Sequence, residues 1–153
     1  MNLTALRENL FRRRHRSLCI LSGSQIWQAQ QLCQLLQSTE TFWFIGERLP
    51  KTISEIHPNC QLIAGQRLKY HLGQEIDGAM IDIENGINAN QLGILSGMIK
   101  AGGLLCLLTP QDDWWQLPNP ENHKLLNTPL QPVDAYCDFY RHLYDTWQQR
   151  NTL

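Results

Sequence analysis

Residues Ile99 to Pro110 read IKAGGLLCLLTP. A helix end, a double glycine, a short apolar strand and Thr-Pro follow one another. The apolar run shows no polar alternation, so both faces of the strand must be covered, as in a parallel sheet between helices. Many enzymes bind a nucleotide or an adenosyl cofactor beside such a strand. Whether this chain can do so depends on what the surrounding residues supply.

Working outward, Asn88 can cap a helix carrying Leu92, Ile94, Leu95, Met98 and Ile99, which the spacing ends at Gly102. Asn85-Gly86 makes the turn before it, and AMIDI (79–83) is the strand before that. Further upstream, SLCILSG (17–23) and TFWFIG (41–46) read as strands, and CQLIAG (60–65) as a short third one. Between the first two, Ser24 caps a helix marked by Ile26, Trp27, Ala29, Leu32, Cys33, Leu35 and Leu36. Residues 47–58 form a loop or short helix, and Arg67 to Leu72 a helical turn or two. An opening helix over 2–15 carries Leu3, Leu6, Leu10 and Phe11, with Thr4 as its cap. Arg12-Arg13-Arg14-His15-Arg16 closes it, where positive charge complements the helix dipole. After the last strand, prolines at 110, 118, 120, 129 and 132 mark a surface excursion. A final helix over 133–149 follows, striped with Val133, Tyr136, Cys137, Tyr140, Leu143, Tyr144 and Trp147. Strands alternating with helices predict an α/β, Rossmann-like, three-layer domain whose mostly parallel sheet has four to five strands.

The chain has 153 residues, 42% of them hydrophobic, enough for one domain with a sizeable core. A formal charge of −1 gives the whole chain no attraction to nucleic acid or anionic membrane, so such a contact must come from a local patch. No apolar run reaches the roughly 18 residues of a membrane span, and the charges of MNLTALRENLFRRRHR follow its apolar residues, the reverse of a signal peptide. The five cysteines (19, 33, 60, 106 and 137) show no C-x-x-C spacing. Reduced thiols, a cytoplasmic setting and no structural metal are expected.

In a doubly wound sheet the ligand crevice lies at the carboxyl ends of the strands. Here that points to the loops Ser22 to Gln25, Gly46 to Arg48, Glu84 to Gly86 and Thr109 to Asp113, with Ser22, Gly23, Ser24, Asp82 and Thr109 as the candidate crevice residues. The turn SGSQIWQAQ has one glycine and no lysine, so it is neither a P-loop nor a dinucleotide fingerprint. A tight strand-to-helix turn with a serine cap accounts for it. Asp82 has a metal or ribose role open to it, and a capping role. Asp112-Asp113-Trp114-Trp115 either lines a partner surface or forms an aromatic lid over the sheet edge. Arg12, Arg13, Arg14 and Arg16 either neutralise RNA phosphates or end a helix in solvent.

Taken as a unit, LGQEIDGAMIDIENGINANQLGILSGMIKAGGLLCLLTP (72–110) resembles the N-terminal domain of the bacterial tRNA(Met) cytidine acetyltransferases. The shared features are LG-x-E, a strand ending in Asp, a Gly-Ile turn, a helix with L-S-G-x-x-K-A-G spacing, and a strand ending in Pro. CILSGSQIW (19–27) is similar to that family's first strand and turn, and Trp114-Trp115 to its acidic, tryptophan-containing segment. The resemblance implies an enzyme that acetylates N4 of the wobble cytidine with acetyl-CoA and ATP or GTP. The helicase-like and acetyltransferase modules that do so have no counterpart in these residues, so no cofactor, metal or catalytic residue is carried over. It implies a non-catalytic domain that meets tRNA or the remaining domains of the enzyme. The late strand also resembles that of adenosylmethionine methyltransferases. A small adenosylmethionine- or nucleotide-binding enzyme, or a protein-interaction module, remains the alternative.

Overall fold

A computed structural model describes residues 3–36, 40–110, 113–125 and 138–151. The elements in order are α1 (Leu3–Arg13), β1 (Ser17–Ser22), α2 (Gln25–Leu35), β2 (Phe42–Ile45), α3 (Lys51–Ile56) and β3 (Gln61–Ile63). A 3-10 turn (Gly65–His71) leads to β4 (Ile76–Asp82), then a 3-10 turn (Ile83–Asn85), α4 (Ala89–Met98) and β5 (Ile99–Thr109). Two 3-10 turns, Trp114–Gln116 and Pro120–Leu125, precede α5 (Asp138–Asn151). The five strands form one open sheet in the order β1-β5-β4-β2-β3, parallel throughout. The α/β three-layer reading therefore holds.

The strands are apolar without interruption because alternate side chains enter two different cores. Phe42, Phe44, Met80, Leu104, Cys106 and Leu108 point to one, under α1, α2 and α3. Trp43, Ile45, Ala79, Ile81, Leu105 and Leu107 point to the other, where Leu95 of α4 and Tyr140 of α5 meet them. The alternation is the ordinary strand period of two; burial on both sides hides it from a hydropathy reading.

The opening stretch departs from the expected boundary. α4 ends at Met98, not at Gly102, and Ile99 already pairs with Ile76 of β4. The register then jumps, so that Gly78 pairs with Leu104, and Lys100–Gly103 bulge out of the ladder. Gly102 has φ +86, a left-handed backbone. A Cβ on Gly103 would clash with the carbonyl oxygen of Asp77. The two glycines serve a β-bulge at the base of the sheet, not a ligand.

Other boundaries differ less. Thr4 lies within α1 rather than before it. The strand read from Ala79 starts at Ile76, and residues 51–56 are the short helix. Ser24 accepts from the Trp27 amide, and Asn88 and Gln91 form a reciprocal capping box, as their positions predicted. Val133, Tyr136 and Cys137 lie outside the described residues. Of the rest of their stripe, Tyr140 is fully buried, with its hydroxyl donating to the Ile83 carbonyl, and Leu143 and Tyr144 pack against the same core.

α1 is held by one buried cation. Arg7, 4% exposed, donates to the Gly102 carbonyl at 2.6 Å and forms an ion pair with the buried Glu40. Its guanidinium also lies over the Phe11 ring at 5.0 Å. Removing one partner of a buried pair strands the other charge. Arg7→Ala should cost about 3–5 kcal/mol in urea denaturation. The double variant Arg7→Met, Glu40→Gln should recover most of that loss. Equal destabilisation by both variants would show that packing, not charge, sets the effect.

Candidate functional site

The strand-end residues named from the sequence come together, but mostly satisfy one another. The hydroxyls of Ser22 and Thr109 hydrogen-bond at 2.7 Å, and Gly23 N donates to the Thr109 carbonyl at 2.9 Å. Gln28 of α2 donates to the carbonyls of Thr109 and Leu21. Above this closed floor a cavity of about 120 Å³ is bounded by Gly23, Ser24, Gln28, Asp82, Glu84 and Pro110. Pockets for drug-sized ligands run from roughly 300 Å³ upward.

Asp82 caps the following turn: its carboxylate accepts from the Glu84 amide at 3.0 Å. Burial raises its pKa, the Glu84 amide opposes this, and the Glu84 charge adds to it. No group of three or more potential metal-ligating side chains converges among the described residues. The thiols of Cys19, Cys33, Cys60 and Cys106 are unpaired as disulfides. Burial pushes Cys60 up to about 11, which keeps it protonated and unreactive at neutral pH.

A larger cavity of about 680 Å³ lies over the carboxyl ends of β2, β3 and β4. Here the neighbouring strands β2 and β4 connect onward in opposite directions, to β3 and to β5, the usual ligand position in such sheets. Glu47, Gly65, Lys69, Asn85, Gln91 and Glu121 contribute to its wall. The sequence exposed the Gly46-Glu47 and Asn85-Gly86 loops to inspection. It did not reveal Gly65, Lys69, Gln91 or Glu121, which only the strand order brings there. Glu121 arrives because buried Asn119 pins its segment. Asn119 donates to the Ile87 carbonyl at 2.6 Å and accepts from the Ile87 and Glu121 amides.

Arg12, Arg13, Arg14 and Arg16 lie at the opposite end of the sheet, at the amino end of β1, and all are exposed. Arg14 has φ +55, and the bonds Arg14 N to Phe11 O and His15 N to Leu10 O close a Schellman turn. Arg12 donates to the Asn9 side chain, and Arg16 to the Ser96 carbonyl in the last turn of α4. Among the described residues, none of the four pairs with a carboxylate.

The acidic-aromatic segment divides. Asp112 lies outside the described residues, and Asp113 is exposed at the start of a 3-10 turn. Trp114 is 1% exposed and belongs to the core, which rules it out as partner surface and leaves the aromatic cover over the sheet. Its ring meets Tyr140 and Tyr144 edge-on, and Trp115 stacks on Tyr144 at 3.8 Å. Trp115 and Leu117 pack against the same core, so this part of the proline-rich segment is not a surface excursion.

The family described as tRNA(Met) cytidine acetyltransferase TmcA, N-terminal, matches residues 1–153. Relatives bearing the name tRNA(Met) cytidine acetyltransferase TmcA are similar over most of this chain. That of Yersinia pestis (strain D106004) is 35% identical over 130 residues, 84% of this chain. Those of Nitrosococcus halophilus (strain Nc4) and Citrobacter koseri are each 30% identical, over 84% and 92% of it. The match spans only 17–20% of the relatives' own length.

Asp82 offers a test of the small crevice. Its native pKa lies above the unfolded value, so the native state holds the proton more tightly, and stability falls as pH rises between the two. Asp82→Asn keeps the acceptor for Glu84 N and removes the charge. It should raise the urea midpoint at about pH 7 and give no gain at about pH 3, below the ordinary carboxylate range. A loss at both pH values would mean that the carboxylate itself is required.

Proposed function

The chain belongs to the family of tRNA(Met) cytidine acetyltransferase TmcA N-terminal domains, and from that premise we propose that it is a non-catalytic, tRNA-facing part of such an enzyme. It works in the cytoplasm, where tRNA is modified, and its partners are tRNA and the remaining domains of the protein. The acetyl transfer and its acetyl-CoA and ATP belong to regions beyond the segment matched here. The observation that carries the tRNA contact is the exposed cluster Arg12, Arg13, Arg14 and Arg16, without a carboxylate partner among the described residues. Those charges are available to phosphate, and binding of this kind releases counterions.

A second reading, a small-molecule site, has the 680 Å³ cavity over β2 and β4 in its favour. Its wall carries Glu47 and Glu121 against Lys69, which suits a neutral or cationic ligand better than a phosphate. Adenosylmethionine is the soluble probe that fits. At millimolar concentration it should raise the melting temperature if it binds, and no shift would remove it as a ligand.

For the first reading, the chain should bind elongator tRNA(Met) in fluorescence anisotropy, with affinity dropping steeply between about 50 and 200 mM salt. Replacing the four arginines with glutamine should flatten that slope. A slope unchanged by the substitution would refute the arginine cluster as the contact. Preference over a non-cognate tRNA would tie the domain to substrate choice.

A further inference from the structure

The outer edge of β1 carries two features that the sequence keeps apart. β1 pairs with β5 alone among the described strands, so its other edge faces outward. At its amino end stand the arginines. Along its carboxyl half lies a groove of about 390 Å³, floored by Ile20 and Ser22 and walled by Trp27 of α2 and by Tyr144 and Trp147 of α5. Trp27 is 40% exposed despite its size, and Ile26 beside it is 68% exposed. Trp147 is only partly buried, with its ring 6.2 Å from that of Tyr144. A third aromatic, Phe11, is 48% exposed at the start of the arginine run.

We propose that this edge is a track for single-stranded RNA, with phosphates held by Arg13, Arg14 and Arg16 and a base stacked in the groove beside Trp27 and Trp147. The inference deepens the tRNA-facing reading and rests on it. A positive groove with aromatic faces is the usual construction for unpaired nucleic acid, and stacking tolerates any base. In sequence the arginine run has no interleaved aromatics; the fold supplies them from α2 and α5. β1 has six residues, so at about 3.3 Å per residue the two ends lie roughly 17 Å apart, a span of a few nucleotides. Charge complementarity favours RNA over an apolar peptide as the occupant. The groove shares the β1 edge with the one arginine cluster of the chain and has no carboxylate among its described lining residues, whereas the carboxyl-end cavities carry Glu47, Asp82, Glu84 and Glu121.

The test uses the 153-residue chain with two labelled probes, elongator tRNA(Met) and a short polyuridine oligomer. Trp27→Ala should weaken binding of both about tenfold and leave the salt slope unchanged, because a stacked base contributes no counterion release. Trp27→Phe should keep most of the affinity, and Ile26→Ala should bind as the unaltered chain does. Circular dichroism establishes that each variant is folded. Trp147→Ala serves as the second probe of the same groove. If both tryptophan variants fold and bind like the parent, with the slope still set by the arginines, the groove assignment is overturned and the arginine contact stands. If the parent binds neither probe at low salt, both readings fall.

Discussion

The molecule is organised around β5. It is paired on both edges, to β1 and β4, and its side chains from Leu104 to Thr109 are buried. Such a strand tolerates no polar face and no misregister, because a shift by one residue would exchange the two cores. Its base is fixed by the Gly102-Gly103 bulge, and the bulge by Arg7. One guanidinium joins α1 to the Gly102 carbonyl and to Glu40, just before β2. The Gly102 amide donates to the His15 carbonyl. The arginine run is therefore tied to the base of the central strand by backbone as well as by side chain.

That arrangement decides what each end of the sheet can do. Because β1 joins at the edge beside β5, the turn after it does not sit where connections diverge. The divergence lies between β2 and β4, and the larger cavity is there. The Ser22–Thr109 hydroxyl pair and the Gln28 amide use the polar groups that a cofactor at the first turn would need. The missing phosphate loop is thus matched by a turn whose hydrogen bonds are internally satisfied.

Much of the fold was legible because its signals are local. Ser24 and Asn88 announced their helices through cap chemistry, and apolar runs announced the strands. What escaped depended on pairing across the chain. The end of α4 was misplaced because Lys100-Ala101-Gly102-Gly103 reads as a helix stop, while pairing of Ile99 with Ile76 takes the backbone into the sheet one turn earlier. Sequence alone leaves Trp114 between a partner surface and an aromatic lid, because the contacts that bury it, with Tyr140 and Tyr144, come from some 26 to 30 positions away. The wall of the larger cavity needed the strand order, which no single segment encodes. The arginine run was visible at once, but its exposed aromatic neighbours come from helices distant in sequence.

A net charge of −1 conceals a separation of charge along the sheet. Glu47, Asp82, Glu84 and Glu121 lie around the carboxyl ends of the strands, and Arg12, Arg13, Arg14 and Arg16 at the amino end of β1. The four carboxylates and four arginines cancel in the sum, and Lys69 offsets part of the first group, but several strand residues separate the two groups and the Debye length is about 8 Å at physiological salt. A polyanion approaching the domain therefore meets its strongest attraction at the amino end of β1. Long-range steering can orient it before any contact forms. The same field opposes a phosphate ligand in either strand-end cavity. A domain with this polarity can present an anionic strand along the β1 edge while leaving the opposite end for neutral ligands or for basic surfaces of a neighbouring domain.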